Sequence, residues 1–413
     1  MPGKKLYVLL TFLLLICPVP GQGESLSLTL PEALRLARER NPDLKAARQE
    51  TEIARGRLVR ARYPNPFNPE IGGSAARRSF TGGPGGSNDF DIVFSQELEV
   101  AGQRRKRIEE ATRNLAKVTQ QVKDMERLTL AQVKDAFYRG LYLKRRLELF
   151  REVETLNRRL RDIAASRFQA GDIPKMEVNV AEVRLGQSRK DTIVAERDYR
   201  NTLRELERLL GLEPAGQLEP VGQLTVQPQT FQPDQLLSLA MENRPDLQAA
   251  RIEQKRVEAE MALTRRLIVP NPTLQVLYRE EERGDTITGG ALSFPLPLFD
   301  RKQAELTQLA GRKAQAGYEQ QGVELRIKQE VGDAFRSYEA AKEEVEVFEK
   351  EVLDRAAENF QLMETAYQEG KIDLLQVVVV QNDLVNAQFS YLDSLWNYWL
   401  ARTALERATG TEL

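Results

Sequence analysis

The sequence lacks histidine altogether and contains a single cysteine, Cys17. Histidine is the commonest general base, neutral metal ligand and pH switch, so its absence removes the usual basis for catalysis and metal capture. A chain with one thiol also has no internal disulfide and no multi-thiolate metal site. We therefore predict a protein that is not an enzyme and that binds no cofactor or metal of its own.

An excess of one charge and long apolar runs are also missing. The 413 residues carry 60 Lys and Arg against 61 Asp and Glu, whereas a nucleic-acid partner favours a basic excess. No stretch reaches the roughly eighteen apolar residues of a transmembrane helix. We expect no nucleic-acid partner, and the mature protein is either soluble in an exported compartment or meets a membrane through β-strands.

The first segment has the layout of a secretory signal peptide. Two lysines precede an apolar run at residues 6–16, prolines and glycines follow, and we expect cleavage after Gly23. Cys17 has a second interpretation, as a lipid-attachment site. We place lipidation second because Ile16 is bulkier than the small residue that such processing prefers.

The chain contains an internal duplication. In a protein built from repeats, matching segments are separated by a constant number of residues. Residues 41–48 (NPDLKAAR) match residues 244–251 (RPDLQAAR), and the Pro-Asn-Pro of residues 64–66 returns at residues 270–272. Further matches continue to the end of each half at an offset that stays near 200 residues. This consistency indicates two copies of one structural unit.

Proline-free stretches rich in good helix formers predict long helices in each half. Between Pro84 and Pro174, apolar residues recur at helical spacing and predict one helix from about residue 103 to 169. At about 1.5 Å per residue this helix would be roughly 100 Å long. Turn signals at residues 170–174 and 369–373 then make each half a long helical hairpin.

A pattern typical of strands lies between the first helix and the long hairpin of each half. Within residues 89–100, Phe90, Ile92 and Phe94 alternate with polar residues such as Asp91, which indicates one apolar and one wet face. The four predicted strands cover residues 68–80, 89–100, 273–281 and 286–298. Strands of about nine to twelve residues suit a tilted crossing of a bilayer.

Four strands are too few to close a barrel in lipid, where an open edge is not tolerated. The smallest outer-membrane barrels have about eight strands, so at least two chains must share one barrel. The helices carry narrow apolar seams flanked by charge, which suit a coiled-coil wall. A shared barrel continued by such a wall is a duct.

The succession of short helix, strand hairpin and long helical hairpin resembles the TolC-like outer-membrane efflux family. Residues 295–301 (PLPLFDR) and 94–104 (FSQELEVAGQR) look like its strand-to-helix junctions. The junction of residues 94–104 and the Pro-Asn-Pro of residues 64–66 look closest to the outer-membrane component of heavy-metal (cobalt-zinc-cadmium type) RND efflux systems. The resemblance implies a homotrimer with a shared twelve-stranded barrel and a periplasmic helical tunnel. Its implied partners are a periplasmic adaptor, an inner-membrane pump of RND type and outer-membrane lipid.

The expected fold is mainly α with a membrane β-barrel, built from a duplicated helix, β-hairpin and long helical hairpin. The expected segments are a signal peptide (1–23), a first helix (24–67), a β-hairpin (68–100), a helical hairpin (101–211), a linker (212–232), a second helix (233–271), a second β-hairpin (272–299) and a second helical hairpin (300–413).

The candidate functional residues lie at the hairpin tips and on the wet strand face. The resemblance makes the tips the adaptor-docking sites: Gly171, Asp172 and Ile173, with Gly370, Lys371, Ile372 and Asp373. Either tip aspartate could instead cap the following helix. Asp91, Glu97 and Glu99 are pore-lining candidates that would favour cations as acidic rings, although any water-filled pore has polar walls. Gln376 and Val379 align with the family's pore-constricting aspartates; Gln376 is a further pore-lining candidate.

The leading interpretation is a passive exit duct for small molecules or metal ions, opened by rearrangement of the hairpins when an adaptor docks. One alternative is the same duct serving type I protein secretion. Another is a periplasmic coiled-coil scaffold or adaptor without a barrel, which would leave the four strands and the duplication without a purpose.

Overall fold

The computed structural model describes residues 26–79, 86–213, 218–226, 229–281 and 284–413. The predicted signal peptide with Cys17, and the loop that joins the first two long strands, lie outside the described residues. Across the described ranges, no helix combines the length and the apolar character that a membrane crossing requires.

The elements of the described chain follow the duplication. The first half contains β1 (Leu26–Leu28), α1 (Leu30–Arg40), α2 (Pro42–Ala61), β2 (Glu70–Ser79), β3 (Gly86–Glu97), α3 (Gln103–Ala170) and α4 (Lys175–Leu210). The second half contains β4 (Leu218–Pro220), α5 (Pro233–Asn243), α6 (Pro245–Arg266), β5 (Thr273–Glu280), β6 (Thr286–Ser293), α7 (Gln303–Val347), α8 (Leu353–Gln368) and α9 (Leu374–Thr409). The short strands β1 and β4 pair in parallel and tie the halves together.

The helix predicted from about residue 103 to 169 is confirmed as α3, which is unbroken over 68 residues. The second half differs at the equivalent position. There a five-residue π-helix, Phe348–Val352, separates α7 from α8. A π-helical turn is a recognised cause of helix bending, so the second hairpin has a discontinuity that the first lacks.

A four-stranded antiparallel sheet of order β2-β3-β5-β6 combines the β-hairpins of both halves. Phe94 pairs with Ile71 of β2 on one side and with Val276 of β5 on the other. The prediction that the last strand continues to residue 298 is wrong, since β6 ends at Ser293. Pro295 and a second proline follow, and proline has no N–H to donate to a ladder.

The helices continue the sheet in the same order. α2 packs against α3, α3 against α6, and α6 against α7, with α4 and α9 returning along α3 and α7. The wall order α2-α3-α6-α7 therefore repeats the strand order, with α2 and β2 at one edge and α7 and β6 at the other.

Buried apolar side chains form separate clusters along this wall. One cluster lies in each half where the returning helix meets the short helices, around Phe137 in the first half and Tyr398 in the second. A third cluster joins the two hairpin tips around Tyr367 and Ile173. The clusters thus hold the molecule together partway along α3 and α7, where α4 and α9 end, and again at the hairpin tips.

Candidate functional site

The sheet has one apolar face that stays exposed. Ile92 and Phe94 of β3 share this face with their cross-strand partners Tyr278 and Val276. Their side chains are 40–55% exposed, as is Phe90. An exposed apolar surface of this extent marks contact with a membrane or a protein partner. The alternation predicted for β3 is confirmed.

The opposite face carries Asp91, the first pore-lining candidate. The hydroxyl of Ser74 on β2 donates a hydrogen bond to Asp91, and Arg279 of β5 lies directly opposite. The guanidinium of Arg279 lies 3.8 Å from the carboxylate of Glu281.

The other two acidic candidates lie where the sheet meets the helices. Glu97 is the last residue of β3, and its carboxylate accepts a hydrogen bond from Asn271 Nδ2 at 2.8 Å. Glu99 lies beyond the strand, where its side chain is only 7% exposed and pairs with Arg107. Both carboxylates are engaged with the chain itself, which gives them a structural part at this junction.

The two Pro-Asn-Pro segments converge on Glu97. Asn65 Nδ2 donates to the Glu97 carbonyl at 2.6 Å, while Asn271 holds its carboxylate. Gln103, the first residue of α3, is fully buried and donates from Nε2 to Asn271 Oδ1 at 3.0 Å. Sequence reasoning noted the repeated motif but not this convergence; the recurrence of asparagine between prolines in both halves was the available signal.

The hairpin tips pack on each other at the far end of the helices. Ile173 is buried in the cluster with Tyr367, and Ile372 packs partly buried against it. The remaining predicted tip residues are exposed: Gly171, Asp172, Gly370, Lys371 and Asp373. The apolar residues of the tips thus join the two hairpins, whereas the polar residues and glycines face solvent.

The two tip aspartates differ in what they bind. Asp373 caps α9, since its carboxylate accepts the Gln376 N–H at 2.9 Å and the Gln376 side chain completes a capping box. The capping prediction is confirmed for Asp373 and wrong for Asp172. Pro174 stands at the N-cap of α4 without a side-chain hydrogen bond, and it separates Asp172 from the helix.

Two polar contacts connect the hairpins above the tips. The Arg167 guanidinium of α3 lies over the ring of Tyr367, 5.1 Å from its centroid, and burial raises the pKa of that tyrosine. Higher up, Gln381 of α9 donates to Asn157 of α3 at 3.0 Å, with both amides buried. A buried amide pair in a helical seam fixes register, because a slip would leave both amides without partners.

In the part of the chain that the structure describes, no group of three or more His, Cys, Asp or Glu side chains is placed to hold a metal ion. The described chain presents three surfaces. These surfaces are a two-faced sheet, a wall of helices that continues it, and a tip that joins two hairpins.

Comparison with known sequences gives one family and a small number of relatives. The family described as outer membrane efflux protein matches residues 33–212 and 236–411. The cobalt-zinc-cadmium resistance protein CzcC of Cupriavidus metallidurans is 25% identical over 93% of this chain and 90% of its own length.

Solved structures show the same fold at lower identity. A membrane protein from Pseudomonas aeruginosa superposes with a TM-score of 0.79 at 20% identity, covering 92% of this chain and 90% of its own. The CmeC outer membrane channel of Campylobacter jejuni gives 0.80 at 15% identity, with 92% and 85% covered.

Proposed function

Because the chain belongs to the outer membrane efflux protein family, we propose that it is the exit duct of a tripartite efflux system. It lies in the outer membrane with its helices in the periplasm, and it conducts cargo passively to the exterior. The duct carries out no catalysis. Energy for transport comes from the inner-membrane pump.

The observation that carries this proposal is the two-faced sheet whose strand order the helices repeat. One sheet face carries the exposed apolar side chains, the other carries Asp91 and Arg279, and the outer strands β2 and β6 each pair on one side only in the described chain. An open edge is not tolerated in lipid, so copies of the chain join at these edges. A homotrimer of this four-stranded sheet supplies twelve strands, and the same rotation closes the helices into a tunnel.

The partners follow from the two ends of the duct. The apolar sheet face contacts outer-membrane lipid, and the exposed tip residues Asp172 and Lys371 belong to the surface that meets a periplasmic adaptor. The adaptor links the duct to an inner-membrane pump of RND type. Docking separates the tips, which breaks the packing of Tyr367 on Arg167, a hinge or shear transition of packed helices.

Topology is tested by single cysteines at two exposed positions, Asp285→Cys in the loop after β5 and Asp172→Cys in the first tip, in a Cys17→Ala background. Intact cells are treated with a membrane-impermeant maleimide. We expect labelling at position 285 only, with position 172 reacting after the outer membrane is permeabilised. Protection of both positions in intact cells would contradict the duct and favour a periplasmic scaffold.

The similarity to a cobalt-zinc-cadmium resistance protein supports heavy-metal ions as the cargo. Cells that lack the chain should accumulate more zinc, cobalt or cadmium than complemented cells, measured by elemental analysis at equal external concentration. Complementation by a tip-locked variant, cross-linked between the hairpins, should fail. Equal metal content in all three strains would remove the metal assignment and leave the duct in place.

A further inference from the structure

Gln303 opens α7 as Gln103 opens α3, and the two helix starts are built alike. Each glutamine accepts the backbone N–H two residues before it at 2.7 Å. Each follows a residue in the left-handed conformation, Gly102 with φ 74° and Lys302 with φ 60°. These shared details make the two positions equivalent in three dimensions as well as in sequence.

The two glutamines differ in the partner of the amide nitrogen. Gln103 is buried and donates to Asn271 across the α3–α6 contact that joins the two halves. Gln303 lies at the outer edge of the wall, where its side chain is exposed and Nε2 donates back to the Phe299 carbonyl at 2.9 Å. Gln303 thus has the same local backbone contacts as Gln103 but no inter-helix partner within the described chain.

Asn271 also has an equivalent, at the opposite edge of the wall. Asn65 occupies the centre of the first Pro-Asn-Pro and follows α2, the first helix in the wall order. Its Nδ2 binds Glu97, while its Oδ1 accepts a 3.2 Å contact from the Phe67 N–H. A carbonyl oxygen has two lone pairs, so Oδ1 has capacity for one further donor.

We propose that Gln303 of one copy donates to Asn65 of the next copy, and so makes between copies the clasp that Gln103 and Asn271 make within one chain. The edge helix α7 then meets α2 of the next copy as α3 meets α6. This inference rests on the proposed function, because the copies have to close around an axis. It adds the residue pair that sets the height of one copy against the next, because a slip would break the hydrogen bond between them.

The test uses cysteine pairs in a Cys17→Ala background, with the protein in its native membrane. A hydrogen-bonded amide pair holds the two Cβ atoms beyond the ~4 Å of a disulfide, so a short bismaleimide is the reagent. Asn65→Cys with Gln303→Cys should give covalent dimers and higher oligomers on denaturing gels. Gln103→Cys with Asn271→Cys should react to the same extent and stay monomeric in mass.

The matched control is Asn65→Cys with Gln308→Cys, because position 308 is also exposed but lies roughly 140° further round the helix at 100° per residue. It should give at least five-fold less cross-linked oligomer. Equal yields from positions 303 and 308, or none from 303 while the 103–271 pair reacts, would overturn the proposal.

A second measurement covers the case in which the cysteine variants fail to assemble. The oligomer of Gln303→Ala should dissociate in detergent at a lower temperature than that of Gln308→Ala, and equal temperatures would overturn the clasp. Failure of the proposed function is seen separately, since the unmodified chain would then migrate as a monomer after amine cross-linking.

Discussion

Gly211 ends α4 at a place where the chain approaches α1 and α2 more closely than any side chain allows. Its φ is 67°, and a Cβ built there would lie 2.4 Å from the Arg40 carbonyl oxygen and 2.7 Å from its carbon. Beside it, Asn41 donates from Nδ2 to the Leu209 carbonyl at 2.8 Å and accepts the Leu44 N–H. The end of the hairpin is thus held against the bend between the two short helices.

The change Gly211→Ala combines two costs. A left-handed backbone with a Cβ costs roughly 1–2 kcal/mol, and an overpacked contact adds roughly 1–3 kcal/mol. Because the facing atoms are backbone and are held by Asn41, we expect a total of about 2–5 kcal/mol. Gly171 provides the matched control: its φ is 85° and nothing lies within 4 Å of its Cβ position, so Gly171→Ala pays the backbone cost alone.

The assay is urea unfolding of the detergent-solubilised protein, followed by far-UV circular dichroism because the helices dominate the signal. The midpoint should fall for both variants and clearly further for Gly211→Ala. Equal midpoints would refute the reasoning, since they would show that α4 moves away from Arg40 without cost. A normal midpoint for Gly211→Ala with a lowered one for Gly171→Ala would refute it more strongly.

Three further changes test the helical part. Burial raises the pKa of Asp135 to about 6, although Arg407 opposes the shift. Between pH ~4 and 6 the folded state therefore holds a proton that the unfolded state has released, so stability falls as pH rises through this window. Asp135→Asn should raise stability at pH 7.5 by about 1–2 kcal/mol and make the melting temperature less dependent on pH in this window, and an unchanged pH slope would contradict this. Tyr367→Ala should loosen the tips and raise single-channel conductance in planar bilayers, whereas Tyr367→Phe should leave it unchanged; equal conductances would exclude the ring as part of the closure. Asp373→Ala should lower protection of the second tip in hydrogen exchange by about 1 kcal/mol through loss of a cap, and Asp172→Ala should leave the first tip as it is, so matching losses would contradict the capping assignment.

The helices were accessible from sequence because their signals are local. The proline-free stretch before Pro174 permits one long helix, and the glycines at the tips mark where such helices end. The signal for the early end of β6 was equally local, because Pro295 cannot continue the strand. The strand prediction gave too much weight to the apolar alternation after that proline. The π-helix at Phe348 leaves no comparable mark, because Phe150 in the same sequence position sits in unbroken α-helix.

The junction between sheet and helices was inaccessible for a different reason. Whether Glu97 lines a pore or anchors a junction depends on Asn65 and Asn271, which are distant in sequence and meet it only after the strands have paired. Parity along β3 correctly separated the two faces but says nothing about what lies at the end of a strand. Periodicity therefore identifies surfaces, while contacts between repeats decide which polar residues on those surfaces are free.

The duplication explains why one chain contains both a paired contact between its halves and two edges that are not paired within the described chain. Two equivalent units placed side by side make one contact between them, here β3 with β5 and α3 with α6, and leave the complementary halves of that contact at the outer edges. Departures from equivalence then mark where the units have different tasks. Gly102 is replaced by Lys302 in the same left-handed conformation, and that lysine pairs with Asp300 and Glu305. A non-glycine residue is strained in this conformation, so the second half carries a backbone cost that the first half does not, and the two ion pairs hold the lysine side chain in place at the outer edge of the wall.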